Sequence, residues 1–254
     1  MTWQINQGDF ADTGFLKGQT HLITGATRGI GLALTWELAR AGATVLMLGR
    51  DEAALESLYD QIMAENLPEP VIIPLDLDTL TLEAAEELAA MIEEHFGGLN
   101  GLINNAGLLG SRAPLQQISD AEYQRVMRVN VDANVYLTQA LLPLLQLRPL
   151  STLIYTSSGV GAQARAFWGT YAISKFAVEG LAQLVHEENE NLSDMRVFCV
   201  DPGATRTNMR ASAYPGEEPS HNPPAEALMP FYRYLLSPAS SHQRGTRIKA
   251  RLDR

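Results

Sequence analysis

Short apolar runs alternate along most of this chain with longer segments in which apolar residues recur every three to four positions, beginning at Thr20. The short runs are typical of buried strands and the longer periodic segments of helices. Strands that alternate with helices form repeated βαβ units, in which helices cover both faces of a parallel sheet. The pattern therefore predicts the α/β class, with a doubly wound parallel sheet of about seven strands.

The periodicity places seven strands and six helices. The predicted strands are His21–Thr24, Thr44–Leu48, Val71–Leu75, Gly101–Ile103, Thr152–Thr156, Arg196–Val200 and Arg247–Ala250. The predicted helices are Ile30–Ala41, Glu52–Glu65, Leu82–His95, Asp120–Leu147, Thr170–Glu190 and Ala225–Leu236. No internal repeat of fixed period is visible.

Two stretches depart from this rhythm. Residues 1–18 form an N-terminal arm of unknown structure, and Ala213–Pro224 is rich in Pro, Ser and Gly without an apolar period. The second stretch reads as a mobile loop, either a lid over a site or a plain surface loop. We treat residues 206–224 as a substrate loop and residues 1–254 as a single domain, because no interdomain linker precedes the loop.

Composition narrows the class of partner. The chain has 254 residues, of which 46% are hydrophobic and 19% charged, as expected for a globular protein with a large core. A net charge of −10 disfavours nucleic acid. The longest apolar stretch, Tyr136–Leu147, is too short to span a bilayer, and the first 18 residues do not resemble a signal peptide. With a single cysteine, Cys199, the sequence predicts a cytoplasmic protein with no membrane partner and no metal site.

A glycine-rich turn follows the first strand and opens the first helix. It reads Thr24-Gly25-Ala26-Thr27-Arg28-Gly29-Ile30-Gly31. Glycines at these positions permit a tight strand-to-helix turn and close approach of a pyrophosphate to the backbone, where free amides and the helix dipole face the phosphates. Such a turn between a strand and a helix predicts a Rossmann-type dinucleotide site.

The T-G-x-x-x-G-x-G spacing resembles the short-chain dehydrogenase/reductase family, and further motifs follow in that family's order. They are Asp76-Leu77, Asn104-Asn105-Ala106-Gly107, Asn130, Ser157-Ser158, Tyr171-Ala172-Ile173-Ser174-Lys175 and Pro202-Gly203. The resemblance covers about residues 20–250. Within the family the chain is similar to uncharacterised YciK-like bacterial oxidoreductases, through residues 105–110, 137–145 and 205–207. That likeness names no substrate.

The residues after the second strand bear on the choice of dinucleotide. An acidic residue there would bind the ribose hydroxyls of NAD, but the chain reads Leu48-Gly49-Arg50. Arg50 offers a planar bidentate donor for a phosphate, and Arg28 adds a second cation near a helix N-terminus. NADP(H) is therefore favoured over NAD(H), unless both arginines are ordinary surface residues. Asp51 more simply caps the following helix.

Two residues carry the predicted acid and base chemistry. Tyr171 and Lys175 are four apart in a predicted helix and share one face. The lysine ammonium, together with the positive nicotinamide ring, is expected to lower the tyrosine pKa toward working pH, so that tyrosine acts as an acid in reduction and a base in oxidation.

The family resemblance implies further roles. Ser158, 13 residues before Tyr171, would hold the substrate oxygen, with Ser157 as its competitor, and the Asn130 amide would hold a water that relays protons to Lys175. Cofactor contacts are implied for Gly25, Thr27, Arg28, Gly29, Ile30, Gly31, Arg50, Asp76, Leu77, Asn105, Ala106, Gly107, Tyr171, Lys175, Pro202, Gly203, Thr205 and Thr207. Asn104 and Asn105 are equally explained as braces of the strand ends.

The substrate itself is open. Ser158, Trp168 and Tyr171 are the predicted substrate contacts, with Leu109, Phe167 and Tyr214 as further candidates for an apolar wall. We predict a carbonyl or alcohol substrate and an NADP(H)-dependent oxidoreductase. A non-catalytic NADPH-binding protein, and an isomerase or dehydratase acting through transient oxidation, are the alternatives. A homodimer or homotetramer is expected, mainly from the resemblance.

Overall fold

A parallel sheet of eight strands forms the centre of the computed structural model, which describes residues 2–3, 14–241 and 246–250. The strands are β1 (Thr2–Trp3), β2 (Thr20–Thr24), β3 (Thr44–Gly49), β4 (Val71–Pro74), β5 (Gly101–Asn104), β6 (Thr152–Thr156), β7 (Arg196–Asp201) and β8 (Thr246–Ala250). The seven predicted strands are confirmed to within one residue at each end. The eighth, the two-residue β1, comes from the N-terminal arm and pairs with β8.

The order of the strands fixes where a ligand can bind. The sheet runs β1-β8-β7-β6-β5-β2-β3-β4, so the direction of winding reverses between β2 and β5. These two strands pair through His21↔Gly101, Leu22↔Leu102 and Ile23↔Ile103. In open parallel sheets, the crevice beyond the carboxyl ends of the strands at such a reversal binds the ligand. The topology confirms the Rossmann-type fold and places the candidate site beyond Thr24 and Asn104.

Nine α-helices connect the strands in the part of the chain that the structure describes. They are α1 (Gly29–Arg40), α2 (Glu52–Ala64), α3 (Leu82–Phe96), α4 (Asp120–Met127), α5 (Ala133–Gln146), α6 (Gly159–Ala162), α7 (Gly169–Asn189), α8 (Asn208–Ala213) and α9 (Met229–Leu236). A π-helical turn, Arg128–Asp132, joins α4 to α5, and a 3-10 turn, Ala225–Leu228, precedes α9. No helix among the described residues is long and apolar enough to cross a membrane.

Two hydrophobic layers hold the helices against the sheet. On one face, the apolar sides of α1, α2 and α9 pack together through residues such as Leu34, Leu55 and Leu235. On the other, α3, α5 and α7 pack through residues such as Leu88, Leu141 and Val178. Every residue of β2, β5, β6 and β7 is buried, because both faces of the sheet are covered.

The predicted helices differ from those of the structure in two respects. The predicted helix Asp120–Leu147 is divided by the π-helical turn, where Asn130 lies fully buried and the Asn134 side chain donates a 2.8 Å hydrogen bond to its carbonyl oxygen. A π turn inserts one residue into a helix without changing its apolar period greatly, so the sequence pattern does not reveal it. The sequence pattern also does not predict the short helices α6 and α8, because four and six residues are too few to show an apolar period.

Candidate active site

A cleft of about 820 Å³ lies beyond the carboxyl ends of the strands, at the winding reversal. It is lined by the glycine-rich turn, the ends of β3 to β7 and helix α8. Of the residues with predicted cofactor contacts, all line this cleft except Gly31. One continuous space is therefore bordered by the phosphate-binding turn at one end and by Ser158, Tyr171 and Lys175 at the other.

The turn after β2 has a shape that requires glycine. Gly25 and Gly29 adopt φ angles of +69° and +56°, which L-amino acids with side chains disfavour. A Cβ on Gly31 would lie 2.1 Å from the carbonyl oxygen of Gly25 and 2.7 Å from Nδ2 of Asn105. Gly31 is therefore a packing position rather than a wall of the cleft: its missing side chain lets α1 start directly against the turn.

The N-terminus of α1 faces the cleft with its amides available. Arg28 occupies the N-cap position and makes no side-chain cap, whereas α2, α3 and α4 are capped by Asp51, Thr81 and Ser119. Uncapped first-turn N–H groups and the positive end of the helix dipole favour an anion at that place. The turn thus fits the pyrophosphate of a dinucleotide.

Two exposed arginines flank this anion site. Arg28 and Arg50 both line the cleft, and within the described part of the chain neither side chain forms a hydrogen bond or ion pair with protein groups. Asp51 next to them accepts a 3.1 Å hydrogen bond from the Ala54 amide and so caps α2, as its position suggested. The cleft beside the glycine-rich turn therefore presents two cations that have no competing partner in the described ranges.

The ends of β2 and β5 are tied together by one threonine. Thr24 Oγ1 accepts hydrogen bonds of 3.0 Å from the amides of Asn105 and Ala106, and Asn105 Nδ2 donates to the Thr24 carbonyl at 3.1 Å. Asn105 thus braces the strand ends and also lines the cleft. Asn104 is buried and does not line the cleft.

Tyr171 and Lys175 meet on the inner face of α7, as their spacing predicts. Both are buried, and Lys175 Nζ lies 5.5 Å from the centre of the Tyr171 ring. Lys175 Nζ also donates a 2.7 Å hydrogen bond to the carbonyl oxygen of Thr156, at the end of β6. The lysine is therefore fixed between the tyrosine and the strand that carries the serines.

The two serines at the end of β6 point to different partners. The Ser157 hydroxyl donates a 2.6 Å hydrogen bond to Oε1 of Glu179, away from the tyrosine. The Ser158 side chain interacts with Tyr171 and borders the cleft. The geometry favours Ser158 over Ser157 as the residue that would meet a substrate.

Burial dominates the pKa values of Tyr171 and Lys175 in the protein alone. Burial raises the pKa of Tyr171 to about 12; the Ser158 side chain lowers this pKa and the Asp201 carboxylate raises it. Burial also lowers the pKa of Lys175 to about 8, against the raising influence of Cys199 and Glu179. Without the nicotinamide charge the tyrosine pKa is thus raised and not lowered, because loss of solvation outweighs the influence of the Ser158 side chain.

The hydrogen bonds of the Asn130 side chain differ from those expected of an amide that holds a water molecule. Its Nδ2 donates 2.9 Å hydrogen bonds to the Leu108 carbonyl and to Ser174 Oγ, and its Oδ1 accepts a 2.7 Å bond from the Leu108 amide. Both amide protons are therefore used by protein groups, and Asn130 does not line the cleft. The structure shows a residue that clamps the loop after β5 onto α7.

The wall beside Tyr171 is aromatic and apolar. The Trp168 ring lies 5.8 Å from that of Tyr171 and 5.9 Å from that of Tyr214, and Leu109 completes this side. Phe167 does not belong to it, since its side chain is 55% exposed and lies outside the cleft lining. A positive φ of 69° turns the backbone at Phe167 outward, which the sequence does not show.

Only the first half of the predicted substrate loop, residues 206–224, lines the cleft. Arg206 pairs with Pro224 in an isolated bridge, and its guanidinium donates to the carbonyls of Pro219 and Asn222, so the ends of the loop are joined. Residues 206–210, 212–214 face the cleft, whereas residues 215–224 do not. The first half is thus the part of this loop that could contact a bound ligand.

Four residues near the site were not singled out from the sequence: Glu179, Asp201, Met209 and Arg247. Met209 Sδ lies 4.0 Å from Tyr171 Oη, and Asp201 lines the cleft directly before Pro202. A signal existed for Glu179, which follows Lys175 by one helical turn and therefore shares its face. Nothing in the local sequence distinguishes Met209 or Arg247.

Comparison with known proteins agrees with this geometry. The family model for short chain dehydrogenases matches residues 19–218. The uncharacterized oxidoreductase YciK of Escherichia coli K12 is 43% identical over 230 residues, which cover 91% of this chain and 90% of that protein.

Solved structures of similar proteins have the same fold. A protein from Pseudomonas syringae described as a short chain dehydrogenase superimposes with a TM-score of 0.93 at 45% identity, covering 99% of this chain and 100% of that one. A short chain dehydrogenase from Shigella flexneri 2a, solved in complex with NADP, has a TM-score of 0.90 at 41% identity and covers 93% of this chain and 98% of its own.

Proposed function

This chain belongs to the short chain dehydrogenase family of oxidoreductases, and we propose that it transfers a hydride between NADP(H) and a carbonyl or alcohol substrate, with Tyr171 as the general acid and base. The observation that carries the proposal is one continuous cleft, which joins the glycine-rich turn to Ser158, Tyr171 and Lys175. Arg28 and Arg50 also line it, and neither has a partner among the described residues. The similar Shigella protein, which binds NADP, supports the choice of dinucleotide.

The cofactor would occupy the cleft from the turn after β2 to the end of β7. When bound, NADPH supplies the hydride for the carbonyl carbon. First-turn amides of α1 would face the pyrophosphate, Arg28 and Arg50 the 2′-phosphate, and Asp76 and Leu77 the adenine. Pro202, Gly203, Thr205 and Thr207 would border the nicotinamide, which brings its ring toward Tyr171.

The chain's own residues would move the proton. In reduction, Ser158 Oγ holds the substrate oxygen and Tyr171 Oη donates its proton to that oxygen as the hydride reaches the carbon. The Lys175 ammonium stabilises the resulting phenolate, and its lowered pKa of about 8 lets it pass on a proton near neutral pH. In oxidation the same groups act in reverse.

The wall beside the tyrosine supports a substrate with an apolar group on its carbonyl carbon. Leu109, Trp168 and Tyr214 form that wall, and the guanidinium of Arg210 is occupied by bonds of 2.6 and 2.7 Å to the Glu217 carboxylate. Met209 must move before a substrate oxygen can approach Tyr171 Oη, and its unbranched side chain permits that.

Nicotinamide absorbance during turnover tests the proposal. Purified protein with NADPH or NADH is mixed with a panel of aldehydes, ketones and quinones of matched size, some carrying a carboxylate. We expect oxidation of NADPH to be much faster than that of NADH, and apolar carbonyls to react faster than their carboxylated counterparts. Tight NADPH binding without turnover of any compound would favour the non-catalytic alternative.

We further propose a homo-oligomer that covers the outer face of α7. Ile173, Phe176 and Leu184 are 40, 46 and 54% exposed, and a side chain at Gly180 would meet open space. These four positions are three or four residues apart along α7, so they form one apolar stripe suited to packing against a second copy.

Cytoplasmic location is proposed from the single cysteine, which is buried and free.

The substitution Leu184→Glu is expected to separate the subunits. A carboxylate in a buried apolar interface would lose its hydration, so the dissociation constant of the oligomer should rise about 100-fold or more. Light scattering after size exclusion measures the mass. Leu192→Glu is the matched control, because Leu192 is 75% exposed but lies beyond the end of α7. An unchanged mass for Leu184→Glu would remove this face from the interface.

A further inference from the structure

The Arg247 side chain, on β8, forms hydrogen bonds with the main chain of Ser158 and with a group at the end of β7. One terminal nitrogen of its guanidinium, Nη2, donates 3.1 Å hydrogen bonds to the carbonyl oxygen of Ser158 and to Oδ2 of Asp201. Its Nε donates a 2.8 Å bond to Oε1 of Glu179. A single side chain thus joins β6, β7 and α7 at the point where these elements border the cleft.

The two carboxylates extend this network to both sides of the site. Glu179 Oε1 also accepts the 2.6 Å bond from the Ser157 hydroxyl, next to Ser158. Asp201 Oδ1 accepts a 3.1 Å bond from the amide of Gly203 and so shapes the turn that borders the nicotinamide end of the cleft. The position of Ser158 and the shape of the Asp201–Gly203 turn therefore depend on one guanidinium.

The buried carboxylates of Glu179 and Asp201 also need a compensating positive charge, which Arg247 supplies. The side chains of Glu179 and Asp201 are 11 and 5% exposed, and Arg247 is the cation that pairs with both of them among the described residues. The Asp201 carboxylate of β7 acts on Tyr171 and also on Tyr232 of α9, whereas Glu179 of α7 and Cys199 of β7 act on Lys175. Without Arg247, the Asp201 charge near the tyrosine and the Glu179 charge near the lysine would both lose the guanidinium that pairs with them.

We propose that Arg247 is a positioning residue of this active site, which holds Ser158 and the Asp201–Gly203 turn in place and neutralises the two buried carboxylates behind the catalytic tyrosine. The inference rests on the proposed function, since it assigns Arg247 a part in the same reaction. Its geometric role and its electrostatic role predict different responses to substitution.

The electrostatic role is tested by the pH dependence of alcohol oxidation with NADP⁺. Oxidation needs the deprotonated tyrosine, so kcat/KM rises with pH through the pKa of Tyr171 in the complex. Arg247→Gln leaves the Asp201 charge uncompensated and disfavours the phenolate. The rising limb should therefore move to higher pH by about 0.5 to 1 unit, whereas Arg247→Lys, which keeps the charge, should move it by less than half as much.

The geometric role is tested by binding without turnover. NADPH and 2′-phosphoadenosine diphosphate ribose share everything except the nicotinamide, and only the nicotinamide would meet the Asp201–Gly203 turn. Both Arg247→Gln and Arg247→Lys remove the guanidinium and should weaken NADPH binding about threefold to tenfold. The affinity for 2′-phosphoadenosine diphosphate ribose should stay unchanged in both variants. Nucleotide fluorescence and calorimetry measure the two affinities.

Arg233→Gln is the matched control. It removes an ion pair with Glu37 whose side chains are 19 and 20% exposed, outside the cleft, so it should change neither the pH profile nor the ratio of the two affinities. Melting temperatures of all variants separate unfolding from these effects. If the rising limb of the pH profile does not move in folded Arg247→Gln, or moves equally in Arg233→Gln, the inference is overturned and the proposed function still stands. A wild-type protein that neither binds NADPH nor turns over removes the proposed function, and this inference with it.

Discussion

Tyr171→Phe is expected to lower kcat/KM for carbonyl reduction by about 10³-fold, with NADPH affinity and melting temperature nearly unchanged. The substitution removes only the hydroxyl, which interacts with the Ser158 side chain and lies 4.0 Å from Met209 Sδ, so it costs at most one hydrogen bond. The phenyl ring keeps its contact with the Trp168 ring at 5.8 Å. Absorbance at saturating NADPH measures turnover, and nucleotide fluorescence measures binding.

Tyr214→Phe is the control for this substitution. Tyr214 lines the same cleft and packs on Trp168 at 5.9 Å, but it belongs to the wall and not to the reacting pair. Its variant should retain turnover within a few-fold of wild type. Turnover by Tyr171→Phe at more than about a tenth of the wild-type rate would show that another group supplies the proton.

The raised pKa of Tyr171 also sets the sign of the pH dependence. Because burial raises this pKa to about 12 in the protein alone, the phenol is protonated through the neutral range and is ready to donate. The rate of reduction should therefore fall at high pH, where Tyr171 loses its proton, and this group should not limit the rate at low pH. Oxidation should rise with pH, beginning below 12 because the positive nicotinamide of NADP⁺ stabilises the phenolate.

Arg50→Gln is expected to weaken NADPH binding about 10- to 100-fold while NADH binding stays within about twofold. Arg50 borders the ribose end of the cleft and has no protein partner among the described residues, so its guanidinium is available for a phosphate. The ratio of the two dissociation constants, measured at one fixed ionic strength, isolates the 2′-phosphate contribution.

Arg40→Gln controls for the loss of an exposed arginine. The Arg40 side chain is 58% exposed and pairs with Glu65 at 2.9 Å, outside the cleft. Both dissociation constants should equal those of the wild type. If Arg50→Gln weakened NADPH and NADH equally, Arg50 would contact a part shared by both cofactors, and the preference for NADP(H) would need another source such as Arg28.

The local sequence determined most of the fold. Strand runs, helical periods and the glycine turn after β2 are patterns over a few residues, and the structure places seven strands as they predict. The four-residue spacing of Tyr171 and Lys175 needs only a helix to bring the two side chains onto one face. The positions lining the cleft from the turn to the end of β7 were likewise predictable, because parallel strands end at one edge.

Tertiary structure decided what depends on residues far apart in the chain. Asn130 clamps Leu108 and Ser174, which lie 22 and 44 positions away, and Phe167 turns outward by its backbone angle. Arg247 meets Glu179 and Ser158 across 68 and 89 positions. A periodic pattern records which face of an element is buried, but a hydrogen bond between distant side chains exists only once the packed sheet brings its partners within about 3 Å.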